Sequence, residues 1–203
     1  MKIDFDAVIL AAGSSERMGR PKLSLALDNG ISFAEQCARL YAGFGCRRIV
    51  MVVNQDGMDW LEMKGQKIPP EVVAVLNQYV LKGKLFSLQC GLRALDDAEK
   101  SVFVHNVDNP FITRGILSWL VSFAGRADCI RPYCAGQYGS PVLISPQAAR
   151  KLMMAGEYGI PLREHLHRSD CIFAETERPE VLANINTPAD YMRYISCAGS
   201  KDA

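Results

Sequence analysis

Short runs of successive apolar residues alternate along the chain with longer stretches in which apolar residues recur every three or four positions. The short runs, which are typical of strands buried on both faces, lie at residues 7–10, 49–53, 72–76 and 102–104. The longer stretches predict helices with one apolar face, over residues 33–41, 113–123 and a segment with Leu85, Leu88, Leu92 and Leu95. This alternation predicts an α/β protein whose mostly parallel sheet is covered by helices.

Turn and cap residues support several of these boundaries. Ser32 and Glu35 form a Ser-x-x-Glu capping box at the start of the first helix. A further strand is predicted over residues 140–144, and Thr187 is predicted as an N-cap with Asp190 as a first-turn anion. Polar residues therefore cluster just after predicted strands, at the edge where open α/β sheets bind ligands.

Composition narrows the class of protein. The 203 residues carry 23 basic and 22 acidic side chains, and 49% of them are apolar, which predicts one domain over residues 1–203. Balanced charge disfavours a nucleic-acid binder, and no apolar run approaches the roughly 18 to 20 residues that span a bilayer. The first residues lack a secretory pattern, so we expect a cytoplasmic protein. Seven cysteines without a Cys-x-x-Cys pair disfavour a disulfide framework.

The segment after the first strand carries the strongest functional signal. It reads Leu-Ala-Ala-Gly-Ser-Ser-Glu-Arg-Met-Gly-Arg-Pro-Lys over residues 10–22, where Arg17, Arg20 and Lys22 outweigh a single acid. Glycines let such a turn bring backbone N–H groups close to phosphate oxygens, and basic side chains supply the counter-charge. The spacing is neither that of a Walker A loop nor that of a Gly-x-Gly-x-x-Gly dinucleotide loop. We interpret the segment as a polyphosphate-binding loop; the alternative is a solvated turn with incidental charge.

Five segments carry motifs in a fixed order along nearly the whole chain. They are the loop at 10–22, Gly-Lys-Leu-Phe-Ser-Leu at 83–88, Val-Asp-Asn-Pro-Phe at 107–111, Gly-Ser-Pro-Val at 139–142 and Asn-Ile-Asn-Thr-Pro-Ala-Asp-Tyr at 184–191. In residues and order they resemble the motifs of the MobA-like nucleotidyltransferases, and most closely those of the molybdenum cofactor cytidylyltransferase branch. Coincidence at five ordered places is improbable.

The resemblance implies a fold and an activity. The fold is a Rossmann-like three-layer α/β/α sandwich of the nucleotide-diphospho-sugar transferase type. The reaction moves a nucleoside monophosphate from a nucleoside triphosphate to a phosphorylated small-molecule acceptor such as molybdopterin, with release of pyrophosphate and help from Mg²⁺. The Leu-Ala-Ala-Gly form of the loop is associated with CTP over GTP. Handover of the product to a partner enzyme is a further expectation, and neither nucleic acid nor a membrane is an expected partner.

The resemblance also implies which residues contact the nucleotide. Arg17 and Lys22 correspond to residues on the phosphates, and the start of the loop to residues beside the base and ribose. Ser87 opens the leucine-striped helix and offers a hydroxyl together with helix N-terminal amides. The predicted nucleotide-binding residues are Leu10, Ala11, Ala12, Gly13, Ser14 and Ser87.

Asp108 is the predicted magnesium ligand, and it completes the predicted catalytic set with Arg17 and Lys22. It follows a buried strand, and Mg²⁺ needs only one or two carboxylates beside phosphate oxygens and water. Asn186 is the predicted second ligand, through its amide oxygen. The family pattern has aspartate there and at Asn184, so we expect weaker metal binding in the absence of nucleotide.

Two residues are assigned to the acceptor. His105 precedes the acidic loop, and Ser140 stands where the nearest relatives often have histidine. No general base is predicted, because the second pKa of a phosphate monoester is near 6 and the nucleophile is already largely anionic at neutral pH.

Two alternatives stay open. The asparagines at 184 and 186, with Ser140, also fit a catalytically weakened nucleotide-binding or regulatory module, whose nucleotide affinity would barely depend on Mg²⁺. The nucleotide loop does not fix the acceptor, so a sugar-phosphate nucleotidyltransferase is also compatible. An oxidoreductase is disfavoured because the glycine fingerprint of dinucleotide-binding proteins is missing.

Overall fold

Over residues 5–64, 68–95, 99–156 and 159–198, which the computed structural model describes, the chain forms an eight-stranded sheet with helices on both faces. The strands are β1 (Phe5–Ala11), β2 (Ile49–Val53), β3 (Val72–Leu76), β4 (Ser101–Asn106), β5 (Cys129–Cys134), β6 (Gln137–Tyr138), β7 (Val142–Ile144) and β8 (Cys171–Glu175). The helices are α1 (Phe33–Phe44), α2 (Gln55–Lys64), α3 (Gly83–Ala94), α4 (Arg114–Val121), α5 (Pro146–Met154), α6 (Leu162–His167) and α7 (Pro188–Ala198).

The sheet is mixed but mostly parallel. The strand order is β3-β2-β1-β4-β7-β5-β6, and β8 pairs with β5. Strands β1 to β4 pair in parallel, as do β5 and β8, whereas β7 runs antiparallel between β4 and β5. The predicted Rossmann-like three-layer sandwich with a mostly parallel sheet is confirmed.

Alternate residues of β1 belong to two separate cores, one on each face of the sheet. Ile9 lies in the core that contains Tyr41 of α1, and Val8 lies in the core that contains Leu88 of α3. A Cβ on Gly91 would collide with the Val8 side chain, so glycine lets α3 approach the sheet closely. Burial on both faces explains why the strands read as unbroken apolar runs.

The predicted helix caps are confirmed. The Oγ of Ser32 accepts a hydrogen bond from the backbone N–H of Glu35 at 3.2 Å. The Glu35 carboxylate pairs with Arg39 at 2.5 Å, one turn along α1. Near the end of the chain, Oγ1 of Thr187 accepts the N–H of Asp190 at 3.2 Å and opens α7.

Several predicted boundaries are wrong by one to three residues; the helix predicted over 33–41, for example, continues to Phe44. The helix predicted over 113–123 ends at Val121. In the turn that follows, the backbone N–H groups of residues 123 and 124 donate to the carbonyl three residues before them, as in a 3₁₀-helix, and not to the one four residues before them. The strand predicted over 140–144 begins at Val142, and Pro141 before it has no N–H to donate to a neighbouring strand.

Two further expectations from the sequence concern membrane-spanning helices and disulfide bonds. Across the described residues, no helix is long and apolar enough to cross a membrane. The six cysteines whose side chains are described are free thiols, and four of them are buried. Buried free cysteines behave as small apolar core residues.

Candidate active site

A cavity of about 390 Å³ opens where β1 and β4 end, beside the first turn of α3. Because β1 and β4 are parallel neighbours, their carboxyl ends meet at one edge of the sheet, where open α/β sheets bind ligands. The residues predicted to bind nucleotide all line this cavity: Leu10, Ala11, Ala12, Gly13, Ser14 and Ser87. The residues predicted for phosphate, catalysis and metal line it as well: Arg17, Lys22, Asp108 and Asn186. We call this space the nucleotide cavity, after the ligand that the sequence predicts for these residues.

The loop after β1 is closed by a hydrogen bond across its ends. The backbone N–H of Lys22 donates to Oγ of Ser15 at 3.1 Å. Ser15 and Gly19 adopt left-handed backbone conformations, with φ of 53° and 67°, so the chain reverses within a few residues. A Cβ at Gly13 would meet no atom within 4 Å, so this position borders open space. The loop therefore faces the nucleotide cavity without filling it.

Lys22 joins three segments that are distant in sequence. Its Nζ donates to Oδ1 of Asn186 at 2.6 Å and lies 3.5 Å from Oδ2 of Asp108. Partial burial lowers the pKa of Lys22, and the Asp108 carboxylate partly opposes that effect. An ammonium group held this way can exchange an amide and a carboxylate oxygen for phosphate oxygens.

Asp108 has one carboxylate oxygen without a partner. Its Oδ1 is buried and accepts no hydrogen bond from a described residue, while its backbone carbonyl accepts the N–H of Ile185 at 2.8 Å. An unpaired buried carboxylate oxygen is costly, so this atom indicates a place for a cation. Within the described ranges, no cluster of three or more His, Cys, Asp or Glu side chains could hold a metal ion. Asp108 and the Asn186 amide nevertheless fit Mg²⁺, which takes few protein ligands when phosphate oxygens and water supply the rest.

The first turn of α7 holds Asn186 in place. The backbone N–H groups of Asn186 and Thr187 donate to Oδ2 of Asp190 at 3.0 and 2.8 Å. The bond from Asn186 and those involving Thr187 lower the pKa of Asp190. The carboxylate therefore stays ionised at neutral pH and keeps this backbone fixed beneath Lys22.

The first turn of α3 forms another wall of the nucleotide cavity. Gly83 has φ of 82° and ψ of −174°, a backbone region that is essentially confined to glycine. The Oγ of Ser87 accepts a hydrogen bond from Nδ2 of Asn77 at 2.9 Å. Free N–H groups at the start of a helix carry partial positive charge, so this wall suits phosphate or ribose oxygens.

A second cavity, of about 580 Å³, adjoins the first and shares part of its wall. The shared residues are Leu10, Gly83, Lys84 and Asn106. The Nζ of Lys84 donates to Oδ1 of Asn106 at 3.3 Å, which puts a cation on the shared wall. The second cavity also contains Ser140, which was predicted to contact the acceptor and whose Oγ is buried without a partner among the described residues.

The structure does not bring His105 to either cavity. The side chain is fully buried, its ring packs edge-on against Tyr41 at 5.6 Å, and its Nε2 lies 2.9 Å from the carbonyl of Asn109. Burial lowers the pKa of His105 to about 4. At neutral pH the ring is therefore uncharged, and Nε2–H donates to the carbonyl. His105 therefore stabilises the loop that carries Asp108 through its hydrogen bond to Asn109. Its predicted contact with the acceptor is wrong, because the side chain is fully buried.

Three basic residues of the second cavity were missed by the sequence reasoning: Lys84, Arg131 and Arg163. Lys84 belongs to the Gly-Lys-Leu-Phe-Ser-Leu motif, so its position at the start of a helix is a signal that could have found it. Arg131 lies in the middle of β5 and Arg163 in the short helix α6, where no local motif marks them.

Two kinds of comparison with known sequences identify the family of the chain. The family model of the MobA-like NTP transferase domain matches residues 7–172. The chain is 28% identical over 195 residues to a probable molybdenum cofactor guanylyltransferase of Mycobacterium marinum (strain ATCC BAA-535 / M), covering 93% of this chain and 92% of that protein. It is 25% identical over 187 residues to the molybdenum cofactor cytidylyltransferase of Escherichia coli (strain K12), covering 92% of this chain and 93% of that protein.

The fold also occurs among solved structures. A Mycobacterium tuberculosis H37Rv protein, crystallised in complex with manganese, matches with a TM-score of 0.72 and 17% sequence identity over 95% of this chain and 98% of that one. The family model spans the first loop, both cavities' strands and the acidic loop after β4. The chain therefore belongs to the MobA-like NTP transferase family.

Proposed function

We propose that the chain transfers a cytidylyl group from CTP to a phosphorylated small-molecule acceptor such as molybdopterin, with Mg²⁺ as the metal and pyrophosphate as the second product. The observation that carries this proposal is the pair of adjoining cavities with Lys84 and Asn106 on their common wall. Nucleotidyl transfer requires two substrates to meet at one phosphorus atom, and two spaces with a shared cationic wall meet that requirement. Cytoplasmic location and handover of the product to a partner enzyme stay predictions.

The basic residues divide between the two substrates. Arg17 and Lys22 line only the nucleotide cavity and would contact the β and γ phosphates, together with the first-turn amides of α3. Lys84 lines both cavities and would contact the acceptor phosphate beside the α phosphate. This division holds two mutually repelling anions together, which the reaction needs before any bond changes.

The chemistry is an in-line substitution at phosphorus. An oxygen of the acceptor phosphate forms a bond to the α-phosphorus while the bond from that phosphorus to the bridging oxygen breaks, and pyrophosphate leaves with the electron pair. The nucleophile is already anionic near neutral pH, so no side chain has to remove a proton. Lys22 stabilises the charge that develops on pyrophosphate.

Asp108 and Asn186 would hold Mg²⁺, through Oδ1 and the amide oxygen, and the ion supplies charge neutralisation to the triphosphate when bound. The buried and unpartnered Oδ1 of Asp108 supports this assignment. The amide oxygen of Asn186 accepts a hydrogen bond from Nζ of Lys22, so a metal on that oxygen requires Lys22 to move to a phosphate oxygen, and metal and nucleotide are expected to bind together.

The preference for CTP is proposed from Ala12. Its side chain lines the nucleotide cavity and is 3% exposed. A methyl group in place of a glycine hydrogen narrows the space beside the base, which favours the smaller pyrimidine ring. The relatives comprise both a probable guanylyltransferase and a cytidylyltransferase, and we propose Ala12 as a residue that selects between these two activities.

A pyrophosphate-release assay tests the proposal. The protein is mixed with Mg²⁺, each of the four nucleoside triphosphates, and either molybdopterin or a sugar phosphate. We expect release with molybdopterin, faster with CTP than with GTP, and loss of release in Lys22→Met. Lys151→Met is the matched control, because Lys151 pairs with Asp128 at 3.0 Å and lines neither cavity. Release with the sugar phosphate alone would contradict the acceptor assignment.

A nucleotide-binding module without turnover is the second candidate, and Asn186 favours it. An amide carries no charge and its oxygen is already bonded to Lys22 at 2.6 Å, so it attracts a metal less than a carboxylate would. The mark of this candidate is nucleotide affinity that is equal in Mg²⁺ and in a chelator, with no pyrophosphate released with either acceptor.

A further inference from the structure

Arg131 is a cation in the second cavity, and no carboxylate of the described residues forms an ion pair with it. Its Nε and Nη1 atoms are buried and have no hydrogen-bond partner in the described part of the chain. The groups with the largest electrostatic effect on it are the side chains of Cys129, Cys171, Tyr138 and Arg163, none of which is a carboxylate. Burial lowers the pKa of Arg131, yet a guanidinium keeps its charge in proteins. A half-buried charge of this kind is costly until an anion pairs with it.

The Arg131 guanidinium is held in place before any ligand binds. It lies over the ring of Tyr138, 4.6 Å from the ring centre, and its backbone is fixed in β5 opposite Phe173 of β8. Tyr138 is in turn paired with Tyr133 across the β5–β6 turn. A cation fixed between a strand and an aromatic ring loses little freedom when it binds a ligand.

Ser140 supplies a second group without a partner in the same cavity. Its Oγ is buried, and the backbone around it is fixed because the N–H of Ser140 donates to the carbonyl of Val181 at 2.9 Å. Gly139 packs so closely that a Cβ there would lie 2.8 Å from that carbonyl oxygen. The hydroxyl is therefore presented from a rigid segment, and it can donate to an anionic oxygen.

The rest of the second cavity is mostly apolar. Apolar side chains in its wall include Val142, Ile160, Leu162 and Leu166, and the exposed Arg163 adds positive charge. Neither Arg131 nor Ser140 lines the nucleotide cavity or the wall that the two cavities share. The two donors are thus separate from the residues that would hold the reacting phosphates.

We infer that Arg131 and Ser140 form an anion subsite, and that the acceptor carries a second anionic group on an apolar body, apart from the phosphate that receives the nucleotide. The inference rests on the proposed function, because it assigns the second cavity to the acceptor. A charged oxygen placed here accepts from the buried N–H groups and the hydroxyl, and it satisfies donors that are otherwise unpaired. Acceptors with one phosphate and no further charge leave these donors unpaired and are discriminated against.

Two small phosphates of similar size test the subsite without requiring turnover. Phosphoglycolate carries a phosphate and a carboxylate, whereas ethyl phosphate carries the phosphate alone. Each is titrated calorimetrically into protein saturated with Mg²⁺ and the α,β-methylene analogue of CTP, which fills the nucleotide cavity but does not react. We expect phosphoglycolate to bind about tenfold more tightly than ethyl phosphate, as one charge-assisted hydrogen-bonded pair provides.

Variants assign this preference to the two residues. In Arg131→Gln the two phosphates should bind equally, in Arg131→Lys the preference should be intermediate, and in Ser140→Ala it should fall about threefold. Arg93→Gln is the control and should keep the wild-type preference, because Arg93 is exposed on α3 and lines neither cavity. Binding of the CTP analogue by each variant shows that it is folded.

Three results would overturn the inference: equal binding of the two phosphates by the wild type, an unchanged preference in Arg131→Gln, or equal weakening of both phosphates in that variant. The last result would assign Arg131 to the reacting phosphate. A failure of the proposed function is distinguishable, because it appears as absent pyrophosphate release, which the binding titrations do not require. The phosphoglycolate preference, measured without nucleotide, would still report on the subsite.

Discussion

The two adjoining cavities differ in how their polar groups are satisfied. In the nucleotide cavity, Lys22 is bonded to Asn186 and paired with Asp108, so charge is largely balanced within the protein. In the second cavity, Arg131 and Ser140 have buried polar atoms that find no partner among the described residues. A triphosphate must therefore exchange partners with an existing network, whereas an anion in the second cavity adds bonds to groups that have none.

Asp108 stands apart within the nucleotide cavity. One of its carboxylate oxygens faces Lys22, and the other is buried and has no hydrogen-bond partner among the residues that the structure describes. The buried polar atoms without a partner among the described residues therefore differ in kind: a carboxylate oxygen in the nucleotide cavity, and N–H and O–H donors in the second cavity. This difference suits the proposed metal–nucleotide complex in one cavity and the proposed anionic acceptor in the other.

Removing the charge of Asp108 is expected to have the largest effect, because it removes the proposed metal ligand from the nucleotide cavity. In Asp108→Asn we expect turnover to fall by about 10²–10³, because loss of the metal removes several kcal/mol of transition-state stabilisation. Pyrophosphate release under saturating nucleotide measures the effect. Asp128→Asn is the matched control, since that carboxylate bonds Ser145 and Lys151 and lines neither cavity. Unchanged turnover in Asp108→Asn would place the metal elsewhere.

The pH dependence of stability tests the role of His105, which lies buried behind the loop that carries Asp108. This residue binds a proton near pH 6.5 when unfolded, and burial lowers its pKa in the folded state to about 4. The folded state therefore resists protonation, and the free energy of unfolding should fall by about 3 kcal/mol as the pH drops from 6.5 to 4.

Urea unfolding at successive pH values measures this dependence. In His105→Gln the loss of stability between pH 6.5 and 4 should be smaller than in the wild type. His167→Gln is the matched control, because it replaces an exposed histidine of α6 and leaves the buried one in place. Identical pH dependence in wild type and His105→Gln would contradict the assignment of His105 as a neutral buried support.

Lys22→Met should separate the two cavities. We expect nucleotide affinity to fall about 10- to 100-fold, as loss of a charge-assisted contact to phosphate predicts. Phosphoglycolate binding in the absence of nucleotide should stay at the wild-type value, because Lys22 does not line the second cavity. Calorimetric titration measures both quantities on one preparation. A parallel loss of both affinities would mean that the cavities act as one site.

Ala12→Gly is expected to have the smallest effect. Removing the methyl group widens the space beside the base, so the ratio of CTP to GTP turnover should fall by about threefold, an effect of the size given by one buried methyl group. Competing CTP and GTP in one reaction gives the ratio directly. Ala7→Gly, in the middle of β1 and away from both cavities, controls for the loss of a buried methyl group. A ratio that does not change would contradict the role assigned to Ala12.

The nucleotide cavity could be predicted from the sequence because its residues belong to contiguous motifs at strand ends. Ala12, Gly13 and Lys22 lie in one loop of thirteen residues, and Asp108 follows a strand that is parallel to the one before that loop. Carboxyl ends of parallel neighbours meet at one edge, so the meeting of these segments follows once the fold class is known.

The second cavity could not be predicted in this way. Arg131 lines this cavity because β7 lies between β4 and β5 in the sheet. No local sequence pattern predicts where an antiparallel strand is inserted in the strand order. The buried position of His105, in contrast, could have been predicted from the sequence. Residues of a strand alternate between faces, so His105 shares the core face of Phe103 and not the cavity edge.

The central claim is that Lys22 and Asp108 act together on a metal–triphosphate complex. A crystal structure with Mg²⁺ and the α,β-methylene analogue of CTP tests it most directly. We predict the triphosphate in the nucleotide cavity, Mg²⁺ on Oδ1 of Asp108, and Nζ of Lys22 moved from Asn186 to a phosphate oxygen. A nucleotide bound outside this cavity, or an Asp108 carboxylate that remains without a metal while nucleotide is bound, would contradict the account.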